Sequence, residues 1–177
     1  MKCLIIASGR GTRLPSKTKS KPLVSLAGLP LIAHVILRAQ RAGLDDFYVV
    51  TGYKHKKLSK YLKRFSKRRK IKISCIHNDE WNKENGLSVL KAKDIINENF
   101  ILLMSDHIFN EEIIVKLKNK KINTDEVILA VDYNIKRNRF VDHDDVTKVF
   151  IKDGKVLTVG KNINKYNAFD TGIFLCS

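Results

Sequence analysis

Four residues near the amino terminus have the types and spacing needed to bind a chain of phosphates. Gly9 and Gly11 let backbone N–H groups approach an anion closely. Arg13 and Lys21 add positive charge that would neutralise the phosphate oxygens. All four follow an apolar run, residues 2–7, which has the length of a buried strand. The sequence therefore predicts a phosphate-binding loop directly after the first strand.

This loop differs from two common phosphate-binding motifs. A P-loop needs Gly, four residues and then Gly-Lys-Ser/Thr, and that string is missing from the sequence. The dinucleotide fingerprint needs a third glycine at the position that Leu14 occupies. The remaining pattern, G-x-G-x-R-L followed by Lys21-Pro22, is moderately specific for nucleotide phosphates. An ordinary basic surface loop is the alternative interpretation.

A carboxylate is expected to face the same ligand. Asp106 follows residues 100–104, the most apolar strand-like run in the chain. Mg²⁺ is typically held by one or two carboxylates together with phosphate oxygens, so Asp106 is a candidate magnesium ligand. Its alternative role is to cap the next helix. With Arg13 and Lys21, it would support in-line attack on the α-phosphorus of a nucleoside triphosphate without a nucleophilic side chain.

The order of the predicted elements explains why these residues should converge. From residue 2 to residue 131, strand-length apolar runs alternate with helical patterns, which predicts an α/β fold with a doubly wound, mainly parallel sheet. Ligands of such sheets bind at the carboxyl ends of the strands. Beyond residue 132, two short runs flank Asp153-Gly154 and predict an additional β hairpin. Residues 168–176 form a further strand-like run.

Composition indicates one globular domain of 177 residues, with 44% hydrophobic residues. No apolar run approaches the roughly 20 residues that a membrane span requires, and the start lacks the pattern of a signal peptide. The cysteines have no metal-binding spacing and each lies in a strand-like run. They are expected to be buried, reduced thiols of a cytoplasmic protein; they are Cys3, Cys75 and Cys176.

The net charge of +16 is concentrated in one segment. Residues 54–72 contain eleven Lys and Arg residues and no acid. Leu58, Tyr61, Leu62 and Phe65 are spaced as the buried face of an amphipathic helix, which leaves a basic exposed face. This face could be merely solvated, bind nucleic acid or rest on anionic lipid. Because no RNA-binding signature accompanies it, no nucleic-acid partner is expected, and the solvated face is preferred over the membrane surface.

Several strings in the chain resemble a known family. LIIASGRGTRL with Lys21-Pro22 is similar to the start of nucleotidyltransferases that activate sugar phosphates and related phosphomonoesters. The strings FYVVTGY, HNDEW, ENGLSV, NFILLMSDH, DVTKV and YNAFDTGIFLCS resemble, more closely, the CTP:inositol-1-phosphate cytidylyltransferases. These enzymes are usually fused to a membrane-embedded synthase of phosphorylated di-myo-inositol. The resemblance covers the full length of the sequence.

The resemblance implies a Rossmann-like nucleotidyltransferase domain over residues 1–177. Its implied activity is the Mg²⁺-dependent reaction of CTP with inositol 1-phosphate, giving CDP-inositol and pyrophosphate for osmolyte biosynthesis. Arg13 and Lys21 are the implied catalytic residues, and Asp106 the implied metal ligand. The implied nucleotide-binding residues are Ala7, Ser8, Gly9, Gly11, Thr12, Arg13, Lys21, Thr51, Gly52, Asn85, Gly86 and Ser88. The implied acceptor-binding residues are Lys161, Asp170 and Thr171.

One departure from the family concerns the metal site. The family supplies a second metal-binding Asp from a later motif, and no such motif occurs before Ser177. We therefore expect a domain truncated at its carboxyl end and without full activity. The alternatives are a nucleotidyltransferase for phosphocholine or a sugar 1-phosphate, and a non-catalytic basic binding module. The expected location is the cytoplasm, or its membrane face if a membrane domain follows; the oligomeric state is not indicated.

Overall fold

The computed structural model of the protein describes residues 1–11, 20–136 and 141–177. The predicted site residues Thr12 and Arg13 lie outside these ranges. The described chain divides into two compact units. The first unit comprises Met1–Ile128 and Phe174–Ser177, and the second comprises Leu129–Ile173.

The first unit contains the elements that flank the predicted phosphate-binding loop. A 3₁₀ turn, Lys21–Leu23, follows the loop. The strands and helices are β1 (Lys2–Ala7), β2 (Ser25–Leu26), β3 (Leu29–Pro30), α1 (Leu31–Arg41), β4 (Asp46–Thr51), α2 (His55–Arg69), β5 (Lys72–His77), α3 (Asn85–Leu90), β6 (Phe100–Met104) and α4 (Glu111–Lys118). Two further strands, β7 (Val127–Asp132) and β10 (Ala168–Cys176), belong partly to each unit.

Strands β5, β4, β1 and β6 lie side by side in that order and are parallel. At their carboxyl ends Ala7 is paired with Thr51, and Thr51 with His77. On the other side of β1, Ile6 is paired with Met104. The predicted mainly parallel sheet is therefore confirmed, and the segments that follow these four strands emerge at one edge of it.

Burial explains why these segments form the central elements. The side chains of β1 from Cys3 to Ala7 are at most 5% exposed, as expected for the middle strand of a sheet covered by helices. Helix α1 buries Ile32, Val35, Ile36 and Ala39, which recur at helical spacing. Helix α2 likewise buries Leu58, Leu62 and Phe65, as the sequence predicts, whereas Tyr61 is only partly buried. The apolar face of each helix thus covers the sheet that positions the loop.

The second unit contains the predicted hairpin. Strands β8 (Lys148–Lys152) and β9 (Lys155–Gly160) are antiparallel. They are joined by Asp153-Gly154, both with positive φ (52° and 73°), as a tight two-residue hairpin turn requires. Strand β8 also pairs antiparallel with β10, where Ala168 is opposite Val149.

Two expectations from the sequence were wrong. The apolar spacing after Gly86 predicts a helix that continues towards Ile96, but α3 ends at Leu90. The chain then continues as tight turns, in which Lys93 N donates to the carbonyl of Leu90. Ala92 and Ile96 are nevertheless buried, so the turns preserve the apolar spacing that suggested a longer helix. Cys75 is exposed because β5 is the edge strand of the sheet, whereas Cys3 and Cys176 are buried as expected.

Among the described residues, no helix combines the length and apolar character that a membrane crossing requires.

Candidate active site

A pocket of about 220 Å³ lies at the carboxyl edge of the parallel sheet of the first unit. It is formed where β1 and β6 end, beside the 3₁₀ turn and the start of α3. The structure thus brings six of the predicted site residues to one cavity. The described residues that line it are Ile6, Ala7, Gly9, Gly11, Lys21, Pro22, Asn85, Met104, Ser105 and Asp106.

Lys21 and Asp106 form an ion pair at this pocket. Lys21 is the first residue of the 3₁₀ turn, which is closed by a bond of 3.0 Å from Val24 N to the Lys21 carbonyl. Asp106 follows β6, held against β1 by a bond of 3.1 Å from Ser105 N to the carbonyl of Ile6. Their side chains are 33% and 21% exposed, so both charged groups are accessible to a ligand.

The two glycines of the loop have different surroundings. Gly11 has a φ of 68°, and a Cβ atom there would lie 2.6 Å from the Cβ of Lys21. Its lack of a side chain is thus required by the close approach of Lys21. A Cβ atom at Gly9 would meet no protein atom within 4 Å. Gly9 therefore leaves an open space in the pocket wall that a ligand could approach.

A buried hydrogen-bond network connects three segments that lie next to the pocket. The hydroxyls of Ser8 and Ser88 are 2.7 Å apart, and Asn78 Nδ2 donates to Ser88 Oγ over 3.0 Å. All three residues are at most 2% exposed. Asn78 Oδ1 also accepts from Glu80 N over 2.9 Å. The network joins the end of β1, the segment after β5 and helix α3, and it uses the two serine hydroxyls predicted to bind nucleotide.

Thr51 and Gly52 are packed inside the protein. Thr51 is 1% exposed, and its Oγ1 donates to the carbonyl of Ile76 over 3.2 Å. A Cβ atom at Gly52 would lie 2.3 Å from the Cβ of Trp81 and 2.7 Å from the carbonyl oxygen of Ser8. The nucleotide-binding role of Thr51 and Gly52 stays a prediction. Gly86 is different, because it is exposed and a Cβ there would meet no atom within 4 Å.

An aromatic and cationic cluster lies after β4 and β5. The rings of Tyr53 and Trp81 have centroids 5.2 Å apart. The guanidinium of Arg10 lies 5.6 Å from the Tyr53 ring centroid, and the ammonium of Lys54 lies 5.2 Å from it. Sequence reasoning gave Asn78 and Trp81 no role of their own, although both belong to the string HNDEW. The available signal was their position, because Asn78 directly follows β5 and Trp81 lies three positions further on.

The other acids of this region are engaged by lysines. Lys91 donates to Asp79 over 2.7 Å and lowers the pKa of that carboxyl group. A hydrogen bond from Lys83 lowers the pKa of Glu80. Asp106 is the acid among the described lining residues of the pocket. The described residues contain no cluster of three or more His, Cys, Asp or Glu side chains that could hold a metal by themselves.

The chemistry of the described pocket residues is compatible with a divalent metal ion that is shared with a phosphate ligand. Mg²⁺ prefers oxygen ligands and is commonly bound by one or two carboxylates while phosphates and water complete its coordination. Asp106 offers one accessible carboxylate, and Ser105 and Asn85 also line the pocket. A site of this composition would bind metal together with a nucleotide more strongly than metal alone.

The predicted acceptor residues lie in the second unit. Lys161 Nζ is 2.6 Å from a carboxylate oxygen of Asp145. Asp170 accepts a bond of 2.7 Å from Gly172 N. Thr171 Oγ1 donates to the carbonyl of Ala130 over 2.7 Å. The binding role of these three predicted residues stays a prediction.

Comparison with known proteins places the chain in a family. Residues 3–149 match the model of the MobA-like NTP transferase domain. The chain is 33% identical to the bifunctional IPC transferase and DIPP synthase of Aquifex aeolicus over 97% of its length, and 31% identical to that of Archaeoglobus fulgidus over 99%. It spans only 38% and 32% of these two proteins, respectively.

Solved structures show the same fold. The inositol-1-phosphate CTP transferase from T. maritima has a TM-score of 0.86 at 22% identity, covering 99% of this chain and 70% of that chain. A glucose-1-phosphate thymidylyltransferase from Bacillus anthracis, solved with sucrose and described as putative, has a TM-score of 0.81 at 17% identity, over 99% and 71%. Since the family model covers most of the sequence, the chain belongs to the MobA-like NTP transferase domain family.

Proposed function

We propose that this protein is a Mg²⁺-dependent cytidylyltransferase that joins CTP and inositol 1-phosphate to give CDP-inositol and pyrophosphate. The observation that carries the proposal is the ion pair between Lys21 and Asp106, in a pocket walled by Gly9 and Gly11. The names of the relatives from Aquifex aeolicus and Archaeoglobus fulgidus support the choice of reaction.

The residues of the pocket suit a reaction driven by positioning and charge. The triphosphate of CTP would lie against the open wall at Gly9, and Lys21 would bind its oxygens. An oxygen of the acceptor phosphate attacks the α-phosphorus, forming a new P–O bond as the bond to the bridging oxygen of pyrophosphate breaks. Lys21, joined by Arg13 as the second proposed cation, neutralises the charge that develops on the leaving pyrophosphate.

Binding of the nucleotide requires Lys21 to exchange partners. In the structure its ammonium contacts Asp106, so the phosphates of CTP must replace that carboxylate. After the exchange, Asp106 would be available to hold a divalent metal ion. Nucleotidyltransferases of this family generally work with a divalent metal ion, and Mg²⁺ is the proposed ion here. When bound, it would supply further neutralisation of the phosphate oxygens.

The remaining roles rest on the family resemblance. Asn85 and Gly86 are proposed to border the cytidine, and Ser8, Thr51, Gly52 and Ser88 to shape its site from inside the protein. Lys161, Asp170 and Thr171 are the proposed acceptor-binding residues. We further propose that residues 1–177 form a single nucleotidyltransferase domain in the cytoplasm. A fused membrane domain would instead hold it at the cytoplasmic face of the membrane.

Nucleotide binding tests the proposal most directly. In a thermal-shift comparison with Mg²⁺, CTP should raise the unfolding temperature more than UTP, GTP or dTTP, because a ligand that binds only the native state stabilises it. CTP and inositol 1-phosphate together should release pyrophosphate. Equal shifts with all four nucleotides would contradict the choice of cytosine, and the lack of any shift would contradict the nucleotide site.

A sugar 1-phosphate is the second candidate acceptor. The resemblance of the first loop to nucleotidyltransferases that activate sugar phosphates favours it. Pyrophosphate release from CTP should be compared with inositol 1-phosphate, glucose 1-phosphate and phosphocholine at equal concentrations. The acceptor with the highest kcat/KM identifies the substrate class.

A further inference from the structure

A second cavity, of about 1160 Å³, lies in the first unit apart from the pocket of Lys21 and Asp106. One wall is formed by α2 and the other by the 3₁₀ turn and β3. We call it the basic groove. Its described lining residues are Leu23, Pro30, Lys57, Lys60, Tyr61, Arg64, Lys67 and Arg68.

The cations of the groove form one stripe along α2. From Lys57 to Arg68 they recur at helical spacing over about three turns, a length of roughly 16 Å. The opposite face of α2 carries the buried Leu58, Leu62 and Phe65. All five groove cations are exposed. Among the described residues, no Asp or Glu lines the groove. None of the ion pairs between described residues includes a groove cation.

A concave surface whose charges are all positive attracts anions. Low-dielectric walls focus the field of several cations into the groove, and mutual repulsion between them is relieved when an anion binds. Tyr61 contributes a hydroxyl group that stays protonated, because burial raises its pKa while Arg68 opposes this shift in part. The groove therefore combines five cationic donors with one neutral hydrogen-bond donor.

The shape of the groove distinguishes between classes of anion. A flat bilayer would contact the rim of a cavity that has two walls, but would not fill it. Single-stranded nucleic acid binds on stacking platforms of several aromatic residues. Here Tyr61 is the aromatic lining residue, and it is already stacked on Phe65 with centroids 5.8 Å apart. A small, phosphate-rich anion fits the two-walled groove better than either.

We propose that the basic groove is a second anion site, distinct from the Lys21–Asp106 pocket, that binds the polyphosphate group of a small molecule. The proposal does not depend on cytidylyl transfer. Leu23 of the groove and Lys21 of the pocket belong to the same 3₁₀ turn, so the two sites share one short segment of backbone.

The test is calorimetric titration with inorganic tripolyphosphate, in EDTA and at about 0.15 M salt, where exposed charges are strongly screened. The double variant Lys60→Gln/Arg64→Gln should bind at least about tenfold more weakly than the native protein, because two charged donors are lost. The matched control is Lys63→Gln/Arg69→Gln, which removes the same charge from exposed positions of α2 outside the groove. The control should stay within about threefold of native affinity.

If both double variants lost the same amount of tripolyphosphate affinity, the anion would be attracted by the overall positive charge of α2, and the proposal would be overturned. Unchanged tripolyphosphate affinity in Lys60→Gln/Arg64→Gln would also overturn it. If Lys60→Gln/Arg64→Gln does not fold, as judged by its circular dichroism, Lys57→Gln/Arg68→Gln takes its place.

A third variant separates the two sites. Lys21→Met should retain tripolyphosphate binding in EDTA, since Lys21 is not part of the groove. Loss of binding in Lys21→Met would assign the anion to the active-site pocket and contradict a second site. The native protein should also bind tripolyphosphate more tightly than vesicles of phosphatidylserine or an RNA oligonucleotide. If the protein instead bound the vesicles or the RNA more tightly, and the groove variant lost that binding, the groove would be a surface for a macromolecule. That result would overturn the proposal.

Discussion

Lys21 and Asp106 form an ion pair between the 3₁₀ turn after the glycine loop and the turn after β6. The two residues are far apart in the chain, and they meet because β1 and β6 are adjacent parallel strands that end at the same edge of the sheet. In the proposed reaction the ion pair separates. Lys21 would then bind the phosphates, and Asp106 would bind the metal.

Replacing either partner should impair the enzyme without unfolding it. We expect Asp106→Asn and Lys21→Met each to reduce cytidylyl transfer at least about 100-fold, because each removes a charge that acts on the transition state. The free energy of unfolding should change by no more than about 1 kcal/mol, since partly exposed ion pairs contribute little. Pyrophosphate release and urea denaturation measure the two effects.

Asp106→Asn has a second readout that does not depend on turnover. Mg²⁺ should strengthen CTP binding to the native protein and should have little effect on CTP binding to the variant. A variant whose CTP affinity still rises with Mg²⁺ as in the native protein would remove Asp106 from the proposed metal site.

The two glycines of the loop should respond differently to alanine. Gly11→Ala should lower the free energy of unfolding by about 1–2 kcal/mol, because the residue has a left-handed φ of 68°. The added Cβ would also displace Lys21, which lies 2.6 Å away. Gly9→Ala should leave stability nearly unchanged but weaken CTP binding, since its Cβ fills open space in the pocket wall. Chemical denaturation and calorimetry check both variants; normal CTP affinity in Gly9→Ala would place the nucleotide elsewhere.

The buried network should matter for both stability and binding. Asn78→Ala removes the donor to Ser88 and should lower the free energy of unfolding by about 1–3 kcal/mol, because buried polar groups lose their partner. CTP affinity should fall as well, since Ser88 holds the helix that begins with Asn85. Asn110→Ala is the control: it removes the N-cap of α4, at a cost of about 1 kcal/mol, without touching the pocket. Equal CTP affinity in the two variants would limit Asn78 to a structural role.

Acidification should destabilise the protein through His55. The rings of His55 and His77 are in contact, with centroids 4.0 Å apart and planes tilted by 30°. Desolvation, with the charges of His77 and Lys56, lowers the pKa of His55 below its ordinary value of about 6.5. The unfolded chain therefore takes up a proton at this group before the native protein does. Its contribution to stability is present above pH 6.5 and is lost as the pH falls towards the lowered pKa.

The variant His55→Asn isolates this contribution. Between pH 7 and pH 5 its unfolding temperature should fall less than that of the native protein. NMR titration of the ring should show a higher pKa for His55 in a His77→Asn variant, because one source of repulsion is gone. Parallel curves of unfolding temperature against pH for native and His55→Asn proteins would contradict the assignment.

Much of the fold could be predicted from local patterns. Strand-length apolar runs such as residues 2–7 and 100–104 are buried because they are too hydrophobic to remain in water, and their alternation with amphipathic helices leaves a parallel sheet as the consistent arrangement. The meeting of Lys21 and Asp106 follows from that topology. The hairpin at Asp153-Gly154 was predictable for a local reason, since its turn residues tolerate positive φ.

The polar contacts of the site were decided by the tertiary structure. Ser8 and Ser88 lie 80 positions apart in the chain, and a hydrogen bond between them depends on the packing of α3 against the end of β1. Thr51 donates to a carbonyl of the neighbouring strand for the same kind of reason. Sequence spacing shows which residues are apolar and how often they recur, so it predicts burial. The partner of each polar group depends on which distant segments are brought together, and only the folded chain determines that.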